Sequence, residues 1–191
     1  MVITGTPGVG KTTLARLLAK ALGAELVSLG ELVAREGLHE GLEAGSLIVD
    51  LGALSKRVSE LLSAGRGKLF VVEGHYAHLV VPREKLLMAI VLRRDPRELR
   101  QELLRRGYRG RKLLENLQAE VLDVCLYEAV QAYGPGRVYE IDTTGREAED
   151  VLREAMEAIR ARRGRVGIVD WLGTLEGEGS LDEFFPVEEA S

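Results

Sequence analysis

Apolar residues along this chain fall into two patterns that alternate from one end to the other. Short continuous apolar runs are typical of buried strands, whereas apolar positions that recur every three or four residues are typical of helices with one buried face. The runs predict strands at residues 1–4, 25–28, 69–73, 86–92 and 137–141. The helical spacing predicts helices directly after residue 10, from residue 51 to about 64, from residues 95–96 onward, over 113–133 and over 147–163. Strands that alternate with helices favour a three-layer α/β fold, in which helices cover both faces of a parallel sheet.

Two stretches depart from this alternation. Residues 28–51 are dotted with glycine and only weakly periodic, which predicts a mobile flap or a short helical excursion between two strands. Beyond Gly164 the chain is rich in glycine and acidic residues, with few and isolated apolar positions. We therefore predict a domain over residues 1–163, followed by a loosely docked acidic tail over residues 164–191.

The segment between the first strand and the first helix reads GTPGVGKTT and fits the phosphate-binding loop G-x-x-x-x-G-K-[ST]. Its glycines allow positive φ, and its successive N–H groups, together with the helix N-terminus, form a cradle for anions. Lys11 is placed to reach the β- and γ-phosphates of ATP, and the Thr12 hydroxyl to bind Mg²⁺. The ATP contacts expected from the loop are Gly5, Gly8, Val9, Gly10, Lys11, Thr12 and Thr13.

Composition restricts the class of protein. A hydrophobic content of 46% and a charged content of 29% are those of a globular domain. No apolar run reaches membrane-spanning length and the functional motifs begin at once, so we expect neither a signal peptide nor a membrane partner. The one cysteine, Cys125, lies in an apolar helical pattern and is interpreted as a packed small side chain. A single cysteine excludes an internal disulfide, which suits a cytoplasmic location.

A second motif, VVEGHY, ends the strand at residues 69–73. In nucleotidases with this type of loop, an acid at the end of a neighbouring strand holds Mg²⁺, and Glu73 fits that role beside Thr12. His75 follows two residues later, where it is placed to orient an attacking water or to pair with the transferred phosphoryl group. A purely structural role for Glu73 or His75 stays open at this point.

The net charge of −4 is unevenly distributed. Residues 93–112 contain nine Arg or Lys against three acids, whereas residues 165–191 contain seven acids against one Arg. Guanidinium groups stabilise charge on a transferred phosphoryl group, so a basic segment interrupted by glycine is typical of a lid that closes over ATP. We expect Arg106, beside Gly107, to contact ATP. A solvated helix face and a nucleic-acid-binding patch remain alternatives for this cluster.

Further positions frame the predicted substrates. Arg35 is the only Arg or Lys of the flap, so it is the candidate for binding the phosphate of a nucleoside monophosphate. Asp50, which is also placed to cap the following helix, completes the predicted acceptor site. The turn at residues 142–145 follows the last strand, at the edge where ligands of parallel sheets collect, and Thr144 is therefore expected near the adenine base. A simple helix-capping turn is the alternative.

These motifs together resemble the adenylate kinase isoenzyme 6 family. The matching stretches are GTPGVGKTT, SLGELVARE, VVEGHY, RGY and ENLQAE, spread over residues 1 to about 163. The resemblance implies a nucleoside monophosphate kinase fold with a five-stranded parallel sheet, an acceptor-binding flap near residues 28–51 and a lid near residues 105–115. It also implies ATP contacts at Gly8, Gly10, Lys11, Thr12, Thr13 and Arg106.

The resemblance extends to activity and partners. Family members are similar in combining broad monophosphate kinase activity with ATPase activity, and they act in late maturation of the small ribosomal subunit. The implied partners are therefore a small-subunit ribosomal protein and the pre-ribosomal particle, besides ATP, Mg²⁺ and AMP or another nucleoside monophosphate.

Two activities remain in competition. The first is a kinase that converts ATP and AMP to two ADP; the second is an assembly ATPase whose main output is partner binding and whose kinase turnover is incidental. The single cation of the flap, Arg35, favours weak kinase activity, while Glu73 and His75 favour hydrolysis. A small GTPase is excluded because the chain has no N-K-x-D guanine motif, and a small-molecule kinase of the shikimate type stays a distant alternative.

Overall fold

The computed structural model describes residues 1–43, 46–65 and 67–186. Its strands, in chain order, are β1 (Val2–Thr4), β2 (Glu25–Ser28), β3 (His39–Glu43), β4 (Ser46–Val49), β5 (Phe70–Glu73), β6 (Ala89–Arg93) and β7 (Val138–Asp142). The α-helices are α1 (Lys11–Leu22), α2 (Leu29–Glu36), α3 (Leu51–Ala64), α4 (Ala77–Val80), α5 (Pro96–Arg105), α6 (Gly110–Val121), α7 (Val124–Tyr133), α8 (Ala148–Ala161) and α9 (Trp171–Gly177). Short 3₁₀ turns cover Arg83–Lys85, Pro135–Arg137 and Leu181–Glu183.

Five strands form one parallel sheet in the order β2-β5-β1-β6-β7. Helices α1, α5, α6, α8 and α9 cover one face, where strand residues such as Ile3 and Val71 are buried. Helices α2, α3, α4 and α7 cover the other face, which buries Val2 and Val72. Successive residues of a strand point to opposite faces, so a strand covered on both faces is a continuous apolar run. The predicted three-layer α/β fold with a five-stranded parallel sheet is confirmed.

The register of the sheet brings the two sequence motifs to one edge. β1 lies between β5 and β6, with Ile3 opposite Glu73 and Thr4 opposite Val91. β2 pairs with the outer side of β5, which sets Ser28 opposite Glu73. The phosphate-binding loop leaves β1 at this edge. Glu73 is therefore positioned by backbone pairing between the loop and the start of the flap.

Two predicted elements differ clearly from the structure. The strand predicted over residues 86–92 begins at Ala89 and extends to Arg93, because residues 83–85 form a 3₁₀ turn. The helix predicted over residues 113–133 is two helices, α6 and α7, separated at Leu122 and Asp123. Asp123 has a φ of 57°, and its carboxylate pairs with the buried Arg93 guanidinium, a contact between distant parts of the chain.

The flap is more ordered than its sequence suggested. Helix α2 confirms the short helical excursion, and an antiparallel hairpin of β3 and β4 follows it. Two apolar residues of this hairpin face solvent, with Leu42 72% and Ile48 41% exposed, while Val49 is partly buried against the core. A hairpin that does not bury one face leaves little periodic pattern for sequence analysis to detect.

The described part of the C-terminal segment packs into the core. Leu175 of α9 and Phe184 are both 0% exposed and belong to the same apolar cluster as α1 and α8. The prediction of a loosely docked tail is therefore wrong for these two anchors. Within the described residues, none of the helices is long and apolar enough to cross a membrane.

Candidate active site

The loop between β1 and α1 wraps tightly around the N-terminus of the helix. Gly5 has a φ of 136°, and a Cβ there would lie 2.5 Å from the Leu92 carbonyl oxygen. Gly8 has a φ of 94°, and its Cβ would lie 2.8 Å from a methyl group of Leu99. Gly10 provides the left-handed N-cap of α1. Both positive φ and close packing require glycine here, and the resulting loop turns its backbone N–H groups toward an anion.

Lys11 is held against the loop that it follows. Its Nζ donates hydrogen bonds to the carbonyl oxygens of Gly5 and Thr6, both at 2.8 Å. Burial lowers the pKa of the Lys11 amine below its usual range, while the nearby carboxylates of Glu73 and Glu120 oppose that shift. In its protonated form the amine attracts phosphate strongly, because the loop around it is partly desolvated.

Glu73 is at the centre of a set of oxygen ligands at the sheet edge. The side chain is 6% exposed. Its Oε1 accepts a hydrogen bond from Ser28 Oγ at 2.6 Å and one from Thr12 Oγ1 at 3.4 Å. Sequence analysis predicted the pairing of Thr12 with Glu73 but missed Ser28, whose only signal was its place at the end of β2.

His75 faces the cleft just beyond this carboxylate. Its carbonyl oxygen accepts a hydrogen bond from Thr4 Oγ1 at 3.2 Å, and its ring packs edge-on against Tyr76 with centroids 4.1 Å apart. Partial desolvation by the cleft walls lowers the pKa of His75 to about 4, and the positive charges of Lys11 and His78 act in the same direction. The imidazole is therefore neutral at neutral pH, although one side of the ring is open to solvent.

Two cavities flank the loop. The smaller, of about 180 Å³, lies between the start of α1 and the turn after β7. It is lined by Val9, Gly10, Thr13, Leu14, Leu92, Arg94, Thr143, Arg146, Ala148 and Val151. Its mixture of apolar walls and a few polar groups is typical of a site for a small organic ligand such as a nucleobase.

The larger cavity, of about 560 Å³, lies between the flap and the segment after α5. It is lined by Pro7, Gly30, Val33, Leu47, Val49, Leu51, His75, Tyr76, Leu79, Tyr108, Lys112 and Asn116. Pro7 belongs to the phosphate-binding loop, so this cavity borders the loop at a different residue from the small cavity, which Val9 and Gly10 line. Lys112 contributes a positive charge, and its Nζ lies 5.3 Å above the Tyr108 ring.

The turn after β7 adjoins the small cavity through Thr143. Thr143 Oγ1 donates to the carbonyl oxygens of Val9 and Arg93, at 3.2 and 2.8 Å. Thr144, the residue expected near adenine, instead donates to Asp142 Oδ1 at 2.5 Å and accepts from the Asp95 N–H at 2.8 Å. The turn itself was well placed by the sequence, but Thr143 rather than Thr144 lines the cavity.

The basic segment divides into groups with different surroundings. Arg106 ends α5 just before Gly107, is half exposed, and donates to Glu102 Oε1 at 2.7 Å. Its charge is the smallest of the influences on the pKa of the Lys11 amine, and it acts to lower that pKa. Arg94 Nη1 donates to the Gly8 carbonyl oxygen at 3.4 Å, and Arg94 also lines the small cavity. Arg93, by contrast, is 1% exposed and belongs to a buried ion-pair network.

The two predicted acceptor residues lie outside the lining of the large cavity. The Arg35 side chain is 70% exposed and pairs with Glu36 at 3.3 Å. Asp50 caps α3, with its Oδ1 accepting from the Ala53 N–H at 2.9 Å. Asp50 nevertheless lies between Val49 and Leu51, which line the cavity together with His75. Tyr76 and Asn116 do line the cavity. Their only sequence signal was that they belong to the VVEGHY and ENLQAE stretches.

The similarity of this chain to known proteins agrees with the geometry of the site. Residues 1–123 match a family model described as an AAA domain (AAA_18). The chain is 40% identical over 173 residues to a Methanocaldococcus jannaschii protein named "Putative adenylate kinase", a match covering 90% of this chain and 92% of that protein. A protein of the same name from Methanothermobacter thermautotrophicus is 44% identical over 176 residues, covering 89% of this chain and 97% of that protein.

Solved structures are similar at the level of the fold. The shikimate kinase of Acinetobacter baumannii, in complex with shikimate, superposes with a TM-score of 0.61 at 21% identity, covering 84% of this chain and 92% of that chain. A gluconokinase from Sinorhizobium meliloti superposes with a TM-score of 0.55 at 19% identity, covering 84% and 90%.

Proposed function

The chain belongs to the family whose archaeal members are named "Putative adenylate kinase", and we propose from this that it transfers the γ-phosphoryl group of ATP to a nucleoside monophosphate. AMP is the proposed principal acceptor, with two ADP as the products. We further propose that the chain belongs to the isoenzyme 6 branch, on the strength of its VVEGHY, RGY and ENLQAE stretches.

The observation that carries this proposal is the position of the phosphate-binding loop between two cavities. Val9 and Gly10 border the small cavity, and Pro7 borders the large one. A donor base in the small cavity and an acceptor in the large one would have their phosphates meet at the loop. Such an arrangement holds both substrates in reacting geometry, and positioning supplies a large part of the rate of a phosphoryl transfer.

The chain's own groups have defined roles in this reaction. The loop N–H groups and Lys11 bind the β- and γ-phosphates of the donor. Arg106 is placed on the segment between α5 and α6, where closure toward Lys11 would add a second positive charge and exclude water. Closure of this lid also remains a proposal.

The oxygen groups at the sheet edge fit a magnesium ion. Thr12, Ser28 and Glu73 offer two hydroxyls and one carboxylate, the hard oxygen ligands that Mg²⁺ prefers. Among the described residues there is no cluster of three or more His, Cys, Asp or Glu, which suits a metal held by few protein groups and by substrate phosphates. Bound Mg²⁺ would neutralise charge on the phosphates, with Thr12 and Glu73 holding it.

The acceptor assignment changes with the structure. Tyr76 and Tyr108 offer aromatic surfaces in the large cavity, and Lys112 offers positive charge for a monophosphate. Arg35, which pairs with Glu36 at the surface, and Asp50, which caps α3, stay proposed as acceptor contacts beside these residues.

Hydrolysis of ATP is the second candidate, and His75 is the observation that favours it. A neutral imidazole facing the acceptor cavity is able to accept a hydrogen bond from water and orient it. The proposed role in small-subunit maturation, with a ribosomal protein as partner, rests on the sequence resemblance alone. The proposed cytoplasmic location rests on the single cysteine of the chain.

A bisubstrate ligand tests the two-cavity arrangement. Two adenosines joined by five phosphates are long enough to place one base in each cavity with the chain of phosphates on the loop. We expect one such molecule to bind per chain, to compete with both ATP and AMP, and to bind more tightly than ATP because the second base is already tethered. Competition with ATP alone, or binding no tighter than ATP, would contradict the assignment of the large cavity.

A further inference from the structure

A buried chain of polar contacts links the phosphate-binding loop to four distant parts of the chain. Glu120, near the C-terminus of α6, is 1% exposed. Its Oε2 accepts a hydrogen bond from Thr6 Oγ1 at 2.5 Å, and its Oε1 accepts from Arg93 Nε at 2.8 Å and from the Arg94 N–H at 3.1 Å. A charged acceptor makes these bonds short and strong.

The chain of contacts continues across the sheet. Arg93 Nη1 donates to Glu140 Oε1 of β7 at 2.9 Å, and Glu140 is 0% exposed. The other oxygen of Glu140 accepts from the Ile168 N–H at 2.9 Å, in the segment that leads to α9. The network therefore includes the loop, α6, two strands and the C-terminal segment.

Thr6 is the point where this network meets the nucleotide site. Its side chain points inward to Glu120, while its carbonyl oxygen accepts the hydrogen bond from Lys11 Nζ at 2.8 Å. Thr6 itself is 1% exposed, so its hydroxyl has no access to solvent as an alternative partner. Rotation of the Thr6 peptide would break either the bond to Glu120 or the bond to Lys11. The orientation of the Lys11 amine is thus tied to the position of Glu120.

We infer that Thr6 and Glu120 are positioning residues: the buried Thr6–Glu120 hydrogen bond holds the phosphate-binding loop, and with it Lys11, in the conformation that binds ATP. Neither residue touches the phosphates. Both act through the loop backbone. Because α6 begins in the segment proposed as the lid, the same bond fixes the far end of the lid helix to the loop. The inference deepens the proposed function and rests on it only for the effect on turnover.

Thr6 offers a matched pair of variants. Thr6→Val keeps the shape of the side chain and removes the hydroxyl, whereas Thr6→Ser keeps the hydroxyl. We expect Thr6→Val to weaken ATP·Mg²⁺ binding about tenfold, because a hydrogen bond to a buried charge is lost. The ATP affinity of Thr6→Ser is expected to stay within about twofold of wild type, because the serine hydroxyl keeps this hydrogen bond. Calorimetric titration with ATP·Mg²⁺, without any acceptor, measures both.

Steady-state kinetics separate positioning from general damage to the structure. Thr6→Val should lower kcat while the KM for AMP stays near that of wild type, because the large cavity is unaltered. The double variant Thr6→Val/Glu120→Gln should bind ATP no more weakly than the poorer of its two single variants, since one bond cannot be lost twice.

Some outcomes would overturn the inference. Equal ATP affinity in Thr6→Val and wild type would do so, as would equal losses in Thr6→Val and Thr6→Ser. If Glu120→Gln fails to fold, the pair at Thr6 still decides the question. Wild type that binds ATP but transfers no phosphoryl group would contradict the proposed function alone, because the calorimetric comparison needs no transfer.

Discussion

The substitution Phe184→Ala provides a direct test of how firmly the C-terminal segment is built into the domain. Phe184 is 0% exposed, in contact with the cluster that includes α1 and α8. The Arg100 guanidinium lies 4.4 Å from the centre of its ring, and its carbonyl oxygen accepts a hydrogen bond from Gln118 Nε2 at 3.0 Å. Phe184 thus joins the segment to α5 and α6. Its ring makes the apolar and cation–π contacts, and its carbonyl oxygen makes the backbone contact.

The expected loss follows from this burial. Truncation of a fully buried phenylalanine costs about 3–5 kcal/mol of unfolding free energy, through lost transfer energy and the cavity that remains. For a chain of this length, each kcal/mol shifts the melting temperature by about 2–4 °C. We therefore expect Phe184→Ala to lower Tm by about 10 °C or more.

The neighbouring residue supplies the control. Phe185 is only partly buried against the same cluster, so Phe185→Ala removes the same number of atoms from a less buried position. Thermal unfolding followed by circular dichroism measures both variants. A Tm loss for Phe184→Ala that is no larger than that for Phe185→Ala would refute the conclusion that this segment belongs to the core.

Three further predictions concern the site. Glu73→Gln should lower ATP turnover by about a hundredfold at fixed Mg²⁺, with partial recovery as Mg²⁺ is raised, because one ionised ligand is lost; a variant insensitive to added Mg²⁺ would contradict the metal assignment. His75→Gly should reduce ATP hydrolysis without acceptor by at least about a hundredfold, yet leave calorimetric ATP affinity nearly unchanged; an equal loss of affinity would contradict the role of the imidazole. Burial raises the pKa of the Cys125 thiol to about 11 from 9, so alkylation by iodoacetamide at pH 8, followed by mass spectrometry, should be about a hundredfold slower in the folded than in the unfolded chain. The contribution of Cys125 to stability should be constant below pH 9 and fall as pH rises from 9 to 11, because only the unfolded thiol ionises there. Equal alkylation rates would refute this account of Cys125.

Local sequence was sufficient to predict the elements whose apolar pattern is buried. The phosphate-binding loop is specified by glycines with positive φ, and Glu73 by its place at the end of a strand buried on both faces. Asp50 was foreseen as a helix cap, and it accepts a hydrogen bond from the Ala53 N–H in the first turn of α3. Each of these features depends on neighbours within a few residues.

Features that depend on distant contacts were not predictable in this way. The apolar pattern continues from α6 into α7, and the break at Asp123 depends on Arg93, thirty positions away. The hairpin of the flap buries little, so it has no periodicity to reveal it. Leu175 and Phe184 are single anchors whose burial is decided by the rest of the core.

The candidate site shows the same division. Sequence placed Lys11, Thr12 and Glu73 together, because nucleotidases with this loop carry an acid at the end of the neighbouring strand, and β1 does pair with β5. Ser28 belongs to the site because of the register of β2, and Thr143 because of the turn after β7. Neither contact is visible in the local sequence. Arg35 was chosen as the one cation of the flap, but the fold directs it to solvent.

The most direct test of the proposed activity is the fate of the γ-phosphate. Wild-type protein is incubated with Mg²⁺ and ATP labelled at its γ-phosphate, with and without AMP, and the labelled products are separated. The two-cavity arrangement predicts that AMP accelerates turnover many-fold and that the label appears in ADP. Label found only in inorganic phosphate, at a rate that AMP and other monophosphates leave unchanged, would contradict phosphoryl transfer to a nucleotide and favour an ATPase.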